Sequence, residues 1–395
     1  MCNALALAGC FGLTYWTLRL AYGNALSISR IPGAMERSTR LDPWNASYFA
    51  ELALRSDGRT GDEALRRATE LDPLNSAYWI RRGVRAEFDG DLKGAERFYL
   101  EASRVSRLFG PRVTLMNFYF RQGDQAQFWK WARAAFEISY GDPEGTFLLC
   151  WRMTPDAKLI LDRALPGNVP LRAPFLGFVV RQAGVVAARP VADELLRQAN
   201  EDNRAALLDY CEALMAAQRF ADAHEIWAGL TRSGLAAATA AGPAKNLVYN
   251  AGFGVSPLQR GFDWKVISSP EVSVAADGKP GEIGITLSGN QPEEAEILSQ
   301  VIALDGSASY RLSLAGRTLS HADPGLTWQL EDVETRREAA RVAMAESADW
   351  ADLSVEFKTP GTRFLRLVLR YERRPGTVRY EGRVLIRQLQ LAGAD

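Results

Sequence analysis

Leu41-Asp42-Pro43-Trp44-Asn45-Ala46-Ser47-Tyr48-Phe49 returns 30 residues on as Leu71-Asp72-Pro73-Leu74-Asn75-Ser76-Ala77-Tyr78-Trp79. Asp-Pro at 72–73 is read as starting the next helix. Gly90-Asp91 recurs as Gly123-Asp124 and Ala102 as Ala135, both at a spacing of 33, and Asp142-Pro143 closes a later unit. A period in the low thirties is the mark of stacked helix pairs, each burying its apolar face on its neighbours.

The best unit, 76 to 109, resembles a tetratricopeptide repeat, with Trp79, Gly83, Gly90, Ala95, Tyr99 and Ala102 at the family's signature offsets. Gly83 and Ala95 let two helices approach closely, Trp79 and Tyr99 fill space between units, and Asp89-Gly90-Asp91 makes the turn. The preceding unit keeps Leu65, Ala68 and Pro73, and degenerate units follow around Leu115, Tyr119, Gly123 and Ala135, then Leu176 to Ala199, then Leu207 to Leu230. Roughly five helix pairs over 36–232 are expected. The resemblance implies a groove for a protein partner that the sequence does not name. Phe118, Phe120, Trp129 and Trp131 either line it or belong to the core.

Upstream, the first charged side chain is Arg19 and the first acid is Glu36. The uncharged run before Arg19, extended by Leu20, Ala21 and Tyr22, is about as long as a bilayer-spanning helix of roughly 20 residues. Residues 1–23 are read as an uncleaved membrane anchor, with Tyr15, Trp16 and Tyr22 suited to the interface and Arg19 able to snorkel. A cleaved signal or a lipoprotein, with Leu7-Ala8-Gly9-Cys10 as its box, competes, but no basic segment precedes the apolar run. An envelope role places the body in the periplasm. Arg19, Arg30, Arg37 and Arg40 after the run argue for the cytoplasm.

Downstream, small and flexible residues over 233–245 form a linker ending near Gly242-Pro243. From 246 the period becomes two. Ile283, Ile285 and Leu287 alternate with Gly284 and Thr286; Tyr310, Leu312 and Leu314, then Val355 and Phe357, then Leu365, Leu367, Leu369 and Tyr371 do the same. Turns such as Asp277–Gly281 and Arg374-Pro375-Gly376 separate the runs. Nine to eleven strands over 246–395 predict an antiparallel sandwich.

Asn250-Ala251-Gly252-Phe253, Gly261-Phe262-Asp263-Trp264, Tyr310-Arg311-Leu312-Ser313, Trp350 and Phe357-Lys358-Thr359-Pro360 resemble bacterial galactose-binding-like jelly rolls of the carbohydrate-binding-module type. That resemblance implies a possible polysaccharide ligand. Gly254 stands where the family usually has Glu, so a calcium site relying on that carboxylate lacks it. Trp264, Trp328 and Trp350 occupy positions expected to be buried, leaving Tyr371 and Tyr380 as the exposed aromatic candidates.

Eight arginines crowd 363–387 against Glu372 and Glu381 alone. Arg366 and Arg370 are expected on one strand face, and Arg379, Arg383 and Arg387 on another if no bulge intervenes. Guanidinium forks suit carboxylate or phosphate, so this is either an anionic-glycan or lipid-headgroup surface or a solvated sheet face.

Composition excludes more than it proposes. Lys+Arg and Asp+Glu are both 47, which argues against a generic nucleic-acid binder. Only His224 and His321 are present, so histidine catalysis and multi-histidine metal sites are not expected. Cys150 and Cys211 are read as buried thiols, with one disulfide as the alternative. No nucleophile elbow, phosphate loop or zinc-protease motif occurs. The sequence therefore predicts a multidomain α + all-β protein: an N-terminal apolar anchor helix, a tetratricopeptide-like α-solenoid and a C-terminal jelly-roll sandwich. It predicts no enzyme activity, cofactor or metal. The expected role is a membrane-anchored adaptor, with involvement in envelope or exopolysaccharide assembly suggested. The alternatives are a purely structural protein and a glycan hydrolase using Asp/Glu, for which Glu293, Glu294 and Glu296 are candidates.

Overall fold

The computed structural model describes the chain except residues 1, 166, 168–169, 239–245, 277–278, 280, 321, 359–360 and 395, and the side chains of 2–9. His321, most of the expected linker and parts of two expected turns lie outside the described residues. The chain forms two compact units, Met1–Leu171 and Arg172–Asp395.

The first unit is helical. It contains α1 (Cys2–Ser27), α2 (Ala34–Leu41), α3 (Ala46–Arg55), α4 (Gly58–Leu71), α5 (Ser76–Phe88), α6 (Leu92–Val105), α7 (Phe109–Gln122), α8 (Gln125–Phe136), α9 (Glu144–Met153) and α10 (Ala157–Arg163). Short polar side chains start these helices. Asn45 accepts from the Ser47 amide and Asn75 from the Ala77 amide, both at 3.1 Å; Asp91, Asp124 and Asp156 accept at 2.9–3.0 Å from the amides of Gly94, Gln127 and Leu159. Each bond satisfies a donor that a helix N-terminus leaves open.

The repeat signature acts as packing. The Tyr99 ring lies against Gly83, so any β-carbon there would collide with it. Ala95 and Ala102 are fully buried, and Tyr99 also meets Phe118 of the next pair edge-on at 5.4 Å. Gly90 and Gly123 take positive φ (82° and 70°) at the turns, where a side chain would be strained. Trp79 differs from Tyr99: it sits half-exposed, donates to the Pro73 carbonyl at 2.8 Å and packs on Phe98. Phe118 and Trp129 are core, while Phe120 and Trp131 are half-buried.

The second unit begins with α11 (Arg172–Arg197), α12 (Glu201–Ala216) and α13 (Phe220–Arg232). Helix α11 is broken at Gly184 (φ 83°, ψ 175°) and contains Pro190. Among the described residues it is the one helix long and apolar enough to cross a membrane. Its residues Phe175, Val179, Ala188, Val191 and Ala192 are core, and Arg172 reaches Glu194 at 2.6 Å across the break.

Among the described residues ten strands follow: β1 (Lys265–Val266), β2 (Val272–Ala276), β3 (Glu282–Ser288), β4 (Glu294–Ala303), β5 (Ser309–Thr318), β6 (Leu326–Asp332), β7 (Glu338–Ala343), β8 (Ala351–Lys358), β9 (Phe364–Glu372) and β10 (Glu381–Gly393). They make two antiparallel five-stranded sheets, in the orders β1-β4-β9-β6-β7 and β2-β3-β10-β5-β8. The alternating residues named from sequence (Ile283, Ile285, Leu287, Tyr310, Leu312, Leu314, Leu365, Leu367, Leu369) meet between the sheets, together with Trp264 and Trp328. Asp263 ties down the opening loop: its carboxylate accepts from the Leu258 and Trp264 amides at 2.8 Å, and Trp264 donates to the Asn250 carbonyl at 3.0 Å.

The compact division at 171/172 does not coincide with the change of sequence texture at 233–245. The reason is the apolar face of α13. Phe220, His224 and Trp227 form an aromatic cluster with Tyr249, Phe262 and Phe364 of the sandwich, at ring separations of 5.2–6.5 Å. Gly261, at φ 58°, leaves room for the Trp227 ring. Arg260–Asp209 at 2.6 Å and Lys265–Glu212 at 3.1 Å join α12 to the same loop and to β1. Residues 172–232 therefore share a core with the sandwich.

Candidate functional site

The arginine-rich segment spreads over three surroundings. Across β9, Arg366 is clasped by Glu331 (2.9 Å) and Glu296, while Arg370 (3.5 Å) and Arg336 (3.1 Å) also reach Glu331. Cross-strand register puts these side chains on one face, pairing Arg370 with Glu296 and Arg366 with Glu331. Burial opposes the Arg366 charge, but the hydrogen bonds it donates to Glu331 and Glu296, with the charges of those carboxylates, outweigh it and raise its pKa.

The second setting is the loop after β9. Arg373 and Arg379 both hold Glu293, the latter at 2.7 Å, and Arg374 reaches Asp323 at 2.8 Å. The Arg373 hydrogen bond is the main cause holding the Glu293 carboxyl below its usual range. Arg379 precedes β10 and belongs to this cluster, so it does not share a face with Arg383 and Arg387, as the sequence reading had it. The acids neutralising this segment lie between about 30 and 90 positions away in sequence, so the local excess of arginine overstated the surface charge.

The third setting is the outer face of β2-β3-β10-β5-β8. Arg383 and Arg387 both lie in β10 ahead of a bulge, where Gln388 takes φ 55° and the register shifts. The Arg383 guanidinium covers Gly284, and Arg387 sits in a cross-sheet row with Glu282, Ala315 and Asp352. Its guanidinium carbon lies 4.1 Å over the ring of Trp350. Trp350 is held there by its loop: Arg317 donates to the Ala348 carbonyl at 2.8 Å, and Ser347 exchanges hydrogen bonds with Thr318 at 2.8 and 2.9 Å. The Arg387 Nε is buried without a hydrogen-bond partner among the described residues.

The aromatic candidates are corrected. Tyr371 and Tyr380 are both buried. The Tyr371 hydroxyl accepts from the Tyr380 amide at 3.4 Å, and the Tyr380 carbonyl accepts from Gln291 at 2.8 Å. Neither can stack on a sugar, because Tyr371 continues the inward parity of Leu365, Leu367 and Leu369. Trp350, expected in the core, is instead half-exposed beside β8. Its signal was local: Glu346-Ser347-Ala348-Asp349 before it is a polar loop, not a strand.

A cleft of about 650 Å³ opens between α3, α4 and α5 of the first unit, with Leu54, Val84 and Phe88 exposed along it. Its cations are engaged: Arg81 donates to the Ala50 carbonyl, and Arg85 pairs with Asp62. Among the described residues no group of three or more His, Cys, Asp or Glu could hold a metal ion. Cys150 and Cys211 are buried free thiols, and burial pushes Cys211 up to about 12.

The architecture is a helical repeat followed by a jelly-roll sandwich. No protein-family profile matches the chain, and no curated protein matches it. Solved structures do. One described as "CBM4 structure and function" is 11% identical with a TM-score of 0.30, covering 37% of this chain and 99% of its own. TmCBM61, in complex with β-1,4-galactotriose, is 16% identical at 0.29, covering 38% and 100%. Yeast Tom70 is 15% identical at 0.31, covering 56% of this chain and 51% of its own.

Proposed function

We propose that this chain is a membrane-held binding scaffold that works without catalysis, in envelope or extracellular-polysaccharide assembly. Its helical unit docks a protein segment in the α3–α5 cleft, and its sandwich binds glycan across the face bearing Arg387 and Trp350. The observation that carries the reading is that pair: a half-exposed aromatic ring with a guanidinium over it, on the outer face of a sheet. Sugars offer both an apolar ring face and hydroxyl acceptors, which match these two groups. The membrane part is supported by α1, where Phe11, Leu13, Tyr15, Trp16 and Leu18 all face outward.

A purely structural role leaves the uncovered cleft without a purpose. The hydrolase alternative meets a chemical objection. A general acid needs a carboxyl whose pKa is raised, whereas Glu293 is held down by Arg373 and Glu296 is clasped by Arg366. The test is a glycan array on the full chain in detergent, at low and high salt. Binding lost in both Arg387→Ser and Trp350→Ala, with little salt dependence, is expected. Steeply salt-dependent binding that survives Trp350→Ala would show an electrostatic surface instead.

A further inference from the structure

The first unit has two edges, because successive helices run in opposite directions. The turns before α3, α5, α7 and α9 fall on one edge. Each presents one large apolar side chain to solvent: Trp44, Leu74, Leu108 and Tyr140, exposed by 76, 75, 68 and 74%. The turns themselves are well ordered by their own polar groups, with Asp42 accepting from the Trp44 amide and Asn75 donating to Asp72. Arg67 lies over the Trp44 ring and Tyr140 meets Phe109 edge-on, and all four side chains still stand mostly in solvent.

Helix α1 fixes what lies beyond this edge. Arg19 donates from Nε to the Leu41 carbonyl at 2.7 Å and reaches the Arg40 carbonyl, at the end of α2. Gly23 sits against Leu41 and Tyr48, and Arg55 caps the far end of α1 through the carbonyls of Ser27 and Ser29. So α1 packs along α2 from residue 19 onward, with Tyr48 and Arg55 of α3 also reaching it, and Arg19 is level with the Leu41–Asn45 turn. The helix from Cys2 to Leu18 therefore projects about 25 Å past that edge, close to the roughly 30 Å depth of a bilayer's hydrocarbon core.

From this we infer that the edge carrying Trp44, Leu74, Leu108 and Tyr140 rests in the headgroup region of the same membrane that α1 enters. Each repeat contributes one apolar or amphipathic side chain to the interface, where Trp and Tyr are favoured. Arg19 marks the boundary plane. The opposite edge also exposes Ile31 and Phe88, but α1 leaves the body away from it, and Phe88 belongs to the docking cleft. The inference rests on the membrane reading of α1 and adds an orientation: the solenoid hangs by its inter-repeat turns and leaves its other edge accessible.

The test is hydrogen exchange by mass spectrometry on the full chain bound to phosphatidylcholine vesicles, compared with residues 24–395 in solution. Exchange is expected to slow at turns 42–45, 72–75 and 106–109, and to stay unchanged at 56–58 and 89–91. Leu74→Asp, at an exposed site, should abolish the slowing at its own turn while α1 keeps the chain on the vesicles. Equal exchange at both edges of a vesicle-bound chain overturns the orientation and leaves the anchor standing. Slowing confined to 56–58 and 89–91 overturns it as well. A full chain that does not bind vesicles sinks the anchor and the orientation together.

Discussion

The two units treat apolar surface in opposite ways. In the first, Leu54, Val84 and Phe88 line an open cleft and Trp44, Leu74, Leu108 and Tyr140 stand out along one edge. In the second, the comparable side chains of α13 are closed over by the sandwich, where Trp227 and Phe262 have no exposure left. Helices of similar length and composition thus serve two ends. Those of 34–163 leave apolar surface open to solvent, while those of 201–232 bury theirs in the fold. The arginines repeat the contrast on a smaller scale: Arg366, Arg370, Arg373, Arg374 and Arg379 are matched by carboxylates, and Arg387 is left to an aromatic ring.

The strongest way to break the comparison is to cut the second unit where its sequence texture changes. Residues 172–395 should fold and melt cooperatively. Residues 246–395 alone expose Tyr249, Phe262 and Phe364 and should be insoluble or lose most of their thermal stability. Equal melting temperatures for the two pieces would mean that the helices merely lean on the sandwich. A smaller effect is expected inside the first unit. Gly83→Leu forces the Tyr99 ring away from α5 and should cost about 2 kcal/mol or more, by denaturant melting. An unchanged midpoint would remove the close contact from the account.

Smaller still is a pH effect confined to the sandwich. Burial raises the Asp263 carboxyl above its usual 3.8, against the hydrogen bonds from Leu258, Trp264 and Asn250. A group whose folded pKa is raised binds its proton more tightly when folded. Its contribution is therefore full below 3.8 and declines as pH rises through the higher folded value. Asp263→Asn should flatten that part of the stability profile of 172–395. A profile with the same slope in wild type and variant would show that other carboxyls set it.

How far the sequence reached depended on the range of the interaction. The Asp89-Gly90-Asp91 turn and the alternating strands are legible because each is fixed by neighbours within a turn or a strand, and Gly83 because its helix pair follows a repeat signature; Asp72-Pro73 lies ahead of the helix, which Asn75 caps. The pairing of Arg366 with Glu296 and Glu331 is not legible, since those acids come from strands far away in the chain. Tyr371 and Trp350 were misplaced for a related reason. One continues the inward parity of β9, and the other sits in a loop whose position is set by Arg317 and Thr318 from β5. The boundary of the compact units is not written in composition, which changes at the linker, while compactness follows the aromatic cluster around Trp227.

The central claim, that the open surface of the first unit serves a membrane-held scaffold, is tested most directly by fractionation. Cells producing the full chain and a chain lacking residues 1–23 are lysed, and the membranes are washed in alkaline carbonate. The account predicts that the full chain stays in the washed pellet and that the shortened chain is released as a folded soluble protein. A full-length, unprocessed chain recovered in the soluble fraction would contradict it.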